Sequence, residues 1–328
     1  MKYFLAPLAG FTDGAFRRLC HRHGADLVYT EMVSAAGLAH GSNPTEHLME
    51  TLPGEGPVAV QMFGARPDDL AYAAQFVEKL NARRKSEGRD PFVELNLNAG
   101  CPMQKVTREG AGSALIRNPA LINECLKAMK RETSLPVTLK TRPGARPDRV
   151  NMLELLAAAQ DAGVAGMILH ARFTSQMHGG EVHLDLLSEL VEAASVPITG
   201  NGSVVDLATA RAMAKTGVDA IMIGRAALAN PWIFEGLKCD DLKPVSWKEK
   251  LAAFEEHLSS ALELREIIRA HHPSAHLPSA DAWACLQLHT HLFRYFNGRP
   301  GSAELRRRLN TIRTYSELRA AVDSFNAE

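Results

Sequence analysis

From the first residue to about residue 235, short apolar runs alternate with longer amphipathic stretches. Strand character falls at residues 4–8, 27–31, 58–63, 92–98, 137–141, 166–170, 197–200 and 220–224. Between most of these runs the apolar positions recur at helical spacing, over 70–79, 121–130, 152–162, 186–194 and 207–215. Gly24, Gly163 and Gly217 stand where a left-handed helix cap is expected, each shortly before the next apolar run. The cadence repeats itself, Gly163-Val164-Ala165-Gly166 leading into the sixth run and Gly217-Val218-Asp219-Ala220 into the eighth. Buried strands alternating with helices imply a parallel sheet, and eight such units predict an α/β fold of the (β/α)8 TIM-barrel class. A doubly wound sheet would need fewer strands and a glycine-rich first turn, which does not follow the first run.

Beyond Pro244 strand character stops. Helices are expected over 247–270, 282–295, 303–313 and 315–326, with a proline-rich break at 271–278. The expected division is a barrel domain over residues 1–240 and an all-helical C-terminal domain over 241–328.

Charge changes this picture locally rather than globally. Lys plus Arg number 37 and Asp plus Glu 37, so a polyanionic partner must be held by a patch. Between His289 and Arg319 stand seven arginines (294, 299, 306, 307, 308, 313 and 319) against Glu304 and Glu317. Phe293, Tyr295, Phe296 and Tyr315 are interleaved with them. This segment is the expected phosphate-binding patch for such a partner, with Arg294 and Arg299 as its first contacts. The five cysteines, Cys20, Cys101, Cys125, Cys239 and Cys285, form no CxxC pair, which points to reduced thiols. Prolines break up His271, His272 and His276, so no metal site is expected there. With no leader pattern at the start and no membrane-length apolar run, the expectation is a cytoplasmic monomer without membrane attachment or protein partner.

In a barrel of this class, chemistry sits at the C-terminal ends of the strands. Those ends carry Pro7, Leu8 and Ala9, then Gln61, Asn98, Cys101, Lys140 and Arg142, then His170 and Arg172, and finally Asn201, Gly202, Ser203, Gly224 and Arg225. The last two loops read as a phosphate cradle: their glycines admit backbone N–H groups, each loop leads toward a helix N-terminus, and Arg225 adds a bidentate donor. A lysine in an apolar strand is excluded from the interior unless it meets an anion, which for Lys140 is either a structural ion-pair partner or a phosphate-anchored flavin, whose reduced ring is anionic at N1 and O2. Gln61 and Asn98 suit the amide-like edge of such a ring, and Pro7 to Ala9 its face. Cys101 stands between Gly100 and Pro102 at a strand exit, and a thiol of ordinary pKa near ~8.5 is a competent general acid. The glycines of Arg108-Glu109-Gly110-Ala111-Gly112-Ser113 suit a mobile lid or a turn.

Leu5-Ala6-Pro7-Leu8-Ala9-Gly10-Phe11-Thr12-Asp13-Gly14-Ala15-Phe16-Arg17 resembles the opening motif of the tRNA-dihydrouridine synthases. So do Asn98-Ala99-Gly100-Cys101-Pro102, Lys105-Val106, Gly110-Ala111-Gly112-Ser113-Ala114-Leu115 and Leu139-Lys140-Thr141-Arg142. Gly200-Asn201-Gly202 and Met222-Ile223-Gly224-Arg225-Ala226-Ala227 complete the series in the same order. His291-Leu292-Phe293-Arg294-Tyr295-Phe296-Asn297-Gly298 extends it more weakly. The resemblance implies an FMN-dependent enzyme that consumes NADPH to saturate the C5=C6 bond of particular uridines in tRNA. It implies FMN contacts at Pro7, Leu8, Ala9, Gln61, Lys140, Asn201, Gly202, Ser203, Gly224 and Arg225, with Cys101 as proton donor. Asn98, Arg142 and His170 would line the site; His170 is read as a cofactor contact, and Asn98, Arg142 and Arg172 as substrate contacts. Against the family pattern, Leu8 replaces Met, Ser203 replaces Asp, Asn96 replaces an acid and His178 occupies a tyrosine's place. Two other readings share parts of the pattern. A dihydroorotate dehydrogenase-like FMN reductase of a small pyrimidine has no need of an arginine-rich tail, and a non-catalytic tRNA-binding protein would carry no flavin.

Overall fold

The apolar runs become parallel strands because both of their faces are buried, one in the barrel interior and one against the helices. The computed structural model describes residues 1–41, 43–295, 302–309 and 311–326. Its barrel strands are β1 (Lys2–Leu5), β2 (Leu27–Tyr29), β3 (Val58–Phe63), β4 (Glu94–Asn98), β5 (Val137–Thr141), β6 (Gly166–His170), β7 (Ile198–Asn201) and β8 (Ala220–Ile223). Neighbours run β2–β1–β8–β7–β6–β5–β4–β3, all parallel, and pairing of Val28 with Val58 closes β2 onto β3. The expected TIM barrel is the fold observed.

Strands 3, 5 and 6 have the limits expected from the sequence. Elsewhere the ends differ for local reasons. β1 stops at Leu5, after which Pro7 offers no N–H for a ladder. β4 begins at Glu94 because the Asn81 carboxamide takes both Phe92 backbone groups, accepting its N–H at 2.9 Å and donating to its carbonyl at 3.0 Å. A small hairpin, Gly144–Arg146 against Arg149–Val150, has no counterpart in the sequence reading, since segments this short carry no period.

Outside the barrel lie α1 (Gly14–Arg22), α2 (Pro67–Ser86), α3 (Pro119–Arg131), α4 (Met152–Asp161), α5 (Leu184–Ala193), α6 (Leu207–Ala214) and α7 (Ile233–Lys238). α2 outruns its apolar stripe at both ends. Pro67, Asp68 and Asp69 open it and Arg83, Arg84 and Lys85 close it, each suiting the helix dipole. Gly24, Gly163 and Gly217 all have positive φ, as expected of caps.

The tail comprises α8 (Trp247–His271), α9 (Ala280–Tyr295), α10 (Ser302–Leu309) and α11 (Tyr315–Asn326). α10 is shorter than expected because residues beyond it cap α11: Glu317 accepts the N–H groups of Arg313 (2.9 Å) and Thr314 (3.2 Å). α8 packs along α1, burying Ala261, Leu264 and Ile268 against Ala15 and Leu52. Arg18 reaches across to Ser260 (2.6 Å) and Glu263 (2.8 Å). At the far end of α8, His271 and His272 each lie 3.0 Å from a Glu50 carboxylate oxygen. No helix among the described residues is long and apolar enough to cross a membrane.

Candidate active site

The exit of β1 is a turn closed by its own side chains. The Thr12 hydroxyl accepts the Leu8 N–H (3.0 Å) and donates to the Leu8 carbonyl (3.2 Å), while Glu31 accepts the Gly10 N–H. Asp13 caps α1 through the Phe16 N–H at 2.9 Å. One turn in, Arg17 is fully buried against Glu55 at 2.7 Å and donates to the carbonyls of Thr12 (2.8 Å) and Glu50 (2.9 Å). The polar members of the opening motif therefore hold Pro7, Leu8 and Ala9 at the barrel mouth.

The exit of β4 is built around Asn98. Its Nδ2 donates to Gln61 Oε1 (2.8 Å) and to the Met32 sulfur (3.0 Å), and its Oδ1 accepts the N–H groups of Gly100 (3.0 Å) and Cys101 (2.9 Å). From β5, Arg142 Nε donates to the Gly100 carbonyl at 2.8 Å. The Cys101 carbonyl accepts the Ser113 N–H at 2.9 Å. Beside it Gly112 has φ +59°, and a Cβ there would lie 2.6 Å from the Cys101 oxygen, so only glycine lets this stretch close on the cysteine. Of the stretch read as lid or turn, Arg108, Glu109 and Gly110 form an exposed turn, and Gly112 and Ser113 are buried at the start of a 3-10 helix, Gly112–Arg117. Burial pushes the Cys101 thiol up, against the Met103 N–H and the charges of Arg142 and Lys140. At neutral pH the sulfur keeps its proton.

Strand β5 and the loops after β5, β6 and β8 contribute cations. Lys140 Nζ donates to Asn201 Oδ1 at 3.0 Å, and Asn201 Nδ2 donates to the Met222 carbonyl at 2.8 Å. Burial, reinforced by the Arg142 charge, pulls Lys140 down to about 7. Arg142 Nη1 donates to the Phe173 carbonyl at 3.0 Å. Arg172 Nη2 donates to the Gly180 carbonyl (2.8 Å) and the Ser203 hydroxyl (2.6 Å). Arg225 Nη2 donates to the His178 carbonyl at 3.0 Å. Arg142 and Arg172 thus join the loops that frame the mouth. Among the described residues, none of these four cations pairs with a carboxylate. Burial, then the charges of Lys140, Arg142 and Arg172, hold His170 far below its ordinary value, so its ring is neutral.

Pro7 to Ala9, Asn98, Cys101, His170 and the four cations open on one cavity of about 410 Å³. Every site residue expected from the sequence lines it except Arg299, which lies outside the described residues. A second hollow of about 350 Å³ shares Asn201, Gly202, Ser203, Gly224, Arg225 and Arg294 with it, extending between the loops after β7 and β8. One expectation changes here. The N-terminus of α6 is capped by Asp206, which accepts the Thr209 N–H at 2.8 Å and puts a carboxylate where an anion would sit. The loop after β8 does lead into a helix, Arg225–Ala229, whose N-cap Gly224 has no side-chain cap, so that end, the loop backbone and Arg225 favour a phosphate.

The sequence profile described as Dihydrouridine synthase (Dus) matches residues 4–328. The chain belongs to the dihydrouridine synthase family. A tRNA-dihydrouridine synthase B of Shewanella oneidensis is 35% identical to it over 266 residues, covering 79% of this chain and 80% of that one. Another tRNA-dihydrouridine synthase B, from Pseudomonas aeruginosa, is 32% identical over 330 residues, 100% of this chain and 93% of its own. Among solved structures, a morphinone reductase variant in complex with tetrahydroNAD matches with a TM-score of 0.50 at 14% identity, over 74% of this chain and 87% of that one, a likeness of fold.

As a dihydrouridine synthase the chain has its own solutions at the departing positions. Leu8 packs over Gly224, where a Cβ would lie 3.7 Å from the leucine Cδ2. Ser203 has φ +52°, and its hydroxyl is held by Arg172. His178 lies beside His170, ring centroids 6.2 Å apart and planes 24° from parallel. Phe11, Met32, Met103 and His178 also line the cavity, although the sequence reading assigned them no role there. Phe11 was the most findable, since it sits in the opening motif. Its ring has the Arg294 guanidinium 5.1 Å from its centroid and His291 edge-on at 5.4 Å.

Proposed function

We propose that this dihydrouridine synthase reduces uridines in tRNA to dihydrouridine, with FMN held in the cavity and NADPH as the reductant. What supports the reading is that the Cys101 thiol and the Lys140 ammonium open on the same cavity, beside cations that lack carboxylate partners. The residues fit a phosphate-bearing flavin. The cavity falls within the range of ~300–1,000 Å³ usual for cofactor-sized ligands. Pro7, Leu8 and Ala9 give it an apolar wall, Gln61, Lys140 and His170 polar groups on the rim, and Asn201, Gly202, Ser203, Gly224 and Arg225 a cradle for the phosphate.

When bound and reduced by NADPH, the flavin supplies a hydride to C6 of the uracil. Cys101 supplies the proton to C5: its S–H bond breaks as the C5–H bond forms. Burial keeps the thiol loaded beforehand, and the charges of Arg142 and Lys140 stabilise the thiolate left behind. Asn98, Arg142 and Arg172 position the loops around the base. A uridine must leave its stack to arrive there, and Phe11, Met32 and Met103 give the mouth apolar surfaces for it. Arg294 at the mouth, Arg299 and the further arginines of the tail bind tRNA phosphates.

Cys101→Ala tests the assignment. The variant keeps flavin reduction by NADPH but loses uridine reduction by about 10²- to 10⁴-fold. Normal turnover with tRNA would remove Cys101 from its role. Mapping dihydrouridine in tRNA from a strain lacking the protein, with add-back of Cys101→Ala, tests the substrate.

A further inference from the structure

A file of hydrogen bonds crosses the barrel from mouth to floor, and its donors all point one way. Asn98 Nδ2 donates to Gln61 Oε1 (2.8 Å), and Gln61 Nε2 donates to Asn96 Oδ1 (2.7 Å). Asn96 Nδ2 donates to Thr138 Oγ1 (2.8 Å), and the Thr138 hydroxyl donates to Glu94 Oε1 (2.5 Å). The same Glu94 oxygen accepts the Tyr29 hydroxyl at 2.8 Å. Glu94 is the first residue of β4, at the end of the barrel opposite the cavity, and does not line it.

A carboxamide can turn over and exchange donor for acceptor, and a hydroxyl can rotate. The direction of such a file is therefore set by the members that cannot be reversed, here the backbone N–H groups of Gly100 and Cys101 at the mouth and the doubly accepting Glu94 oxygen at the floor. Burial raises the Glu94 carboxyl against the Thr138 and Tyr29 hydrogen bonds, and its Oε1, taking two O–H donors, is the acceptor on which the file ends. Thr138, having donated, must accept from Asn96; Asn96 must then accept from Gln61, and Gln61 from Asn98. At the mouth this leaves Asn98 Oδ1 free to accept from Gly100 and Cys101. In the reversed file, an Asn98 NH₂ would face those two N–H groups. Asn96 is integral: a carboxylate at that position could not donate to Thr138.

We infer that Glu94 is a positioning residue, acting through Thr138, Asn96 and Gln61 to fix the amide of Asn98 and with it the backbone at Cys101. Its catalytic meaning rests on Cys101 being the proton donor; its structural content does not.

The test uses the purified holoenzyme and iodoacetamide, with the alkylation rate of Cys101 read by peptide mass spectrometry. Exposed Cys239 serves as the internal reference, and melting curves establish folding. Glu94→Leu and Thr138→Val each raise Cys101 alkylation at least about threefold, and the double variant goes no further, because both cut the same file. kcat on tRNA falls in all three, while KM stays within about twofold of the parent. Glu94→Gln, which keeps an oxygen for both hydroxyls, stays within about twofold of the parent in alkylation. Unchanged Cys101 alkylation in folded variants, additive effects in the double, or no rescue by glutamine would each overturn the inference. Should Glu94→Leu not fold, Thr138→Val and Glu94→Gln still decide it. Full activity of Cys101→Ala alongside the expected alkylation pattern would sink the proton-donor reading and leave the file standing.

Discussion

Lys140 is the one charged residue of β5, Val137-Thr138-Leu139-Lys140-Thr141, and its ammonium is held by one amide oxygen and no carboxylate. Burial lowers it to about 7, so around neutral pH the charged form is already yielding. An anion beside it favours the charged form and raises that value, so binding takes up a proton across the window between the two. FMN affinity should therefore be level below about pH 7 and fall as pH rises above it, by up to about tenfold per unit. Fluorescence titrations at a series of pH values check this, and Lys140→Gln should flatten the dependence. The groups that carry chemistry were legible one by one, because a lysine in a strand or a cysteine between glycine and proline is informative by type and place. What Arg142 and Arg172 do was not. An arginine has five donors, and which carbonyls they meet depends on loops that come together only in the fold. The file from Asn98 to Glu94 was hidden for the same reason, since its members come from β3, β4 and β5.

At the scale of elements, the sequence conveyed the strands and most helices because their periods extend over enough residues to be read. It did not convey where ladders stop, which hung on single groups such as the Asn81 carboxamide and Pro7. It also missed the hairpin at 144–150, too short to carry alternation. Two elements at the mouth give direct tests. Gly112→Ala would press a methyl against the Cys101 carbonyl, so uridine reduction should fall more than about tenfold while stability drops by only ~1–2 kcal/mol. Steady-state rates and urea unfolding of the same preparation separate the two effects. Arg17→Met leaves the Glu55 carboxylate buried without its cation, and unfolding stability should drop by ~3–5 kcal/mol. The loop from Leu8 to Thr12 hangs from Arg17 through the Thr12 carbonyl, so flavin retention should weaken with it.

At the scale of the whole molecule, formal charges balance, and attraction for an RNA must come from where they are placed. α10 carries exposed Arg307 and Arg308, and Arg294 reaches the cavity from α9. tRNA affinity should fall steeply with salt, and Arg307→Ala with Arg308→Ala should make the plot of log affinity against log salt shallower by about one to two units. Filter binding at graded salt measures this directly. The gathering of Lys140, Arg142, Arg172 and Arg225 has a further consequence. Their mutual repulsion is a cost the polypeptide bears alone until something negative arrives, so the ligand acts as part of the fold's own support. Stripping FMN should lower the melting temperature, and restoring it at about 100 times its Kd should return ~2.7 kcal/mol. In a cell short of the flavin, the same chain would then open more often, meet proteases sooner and persist for less time.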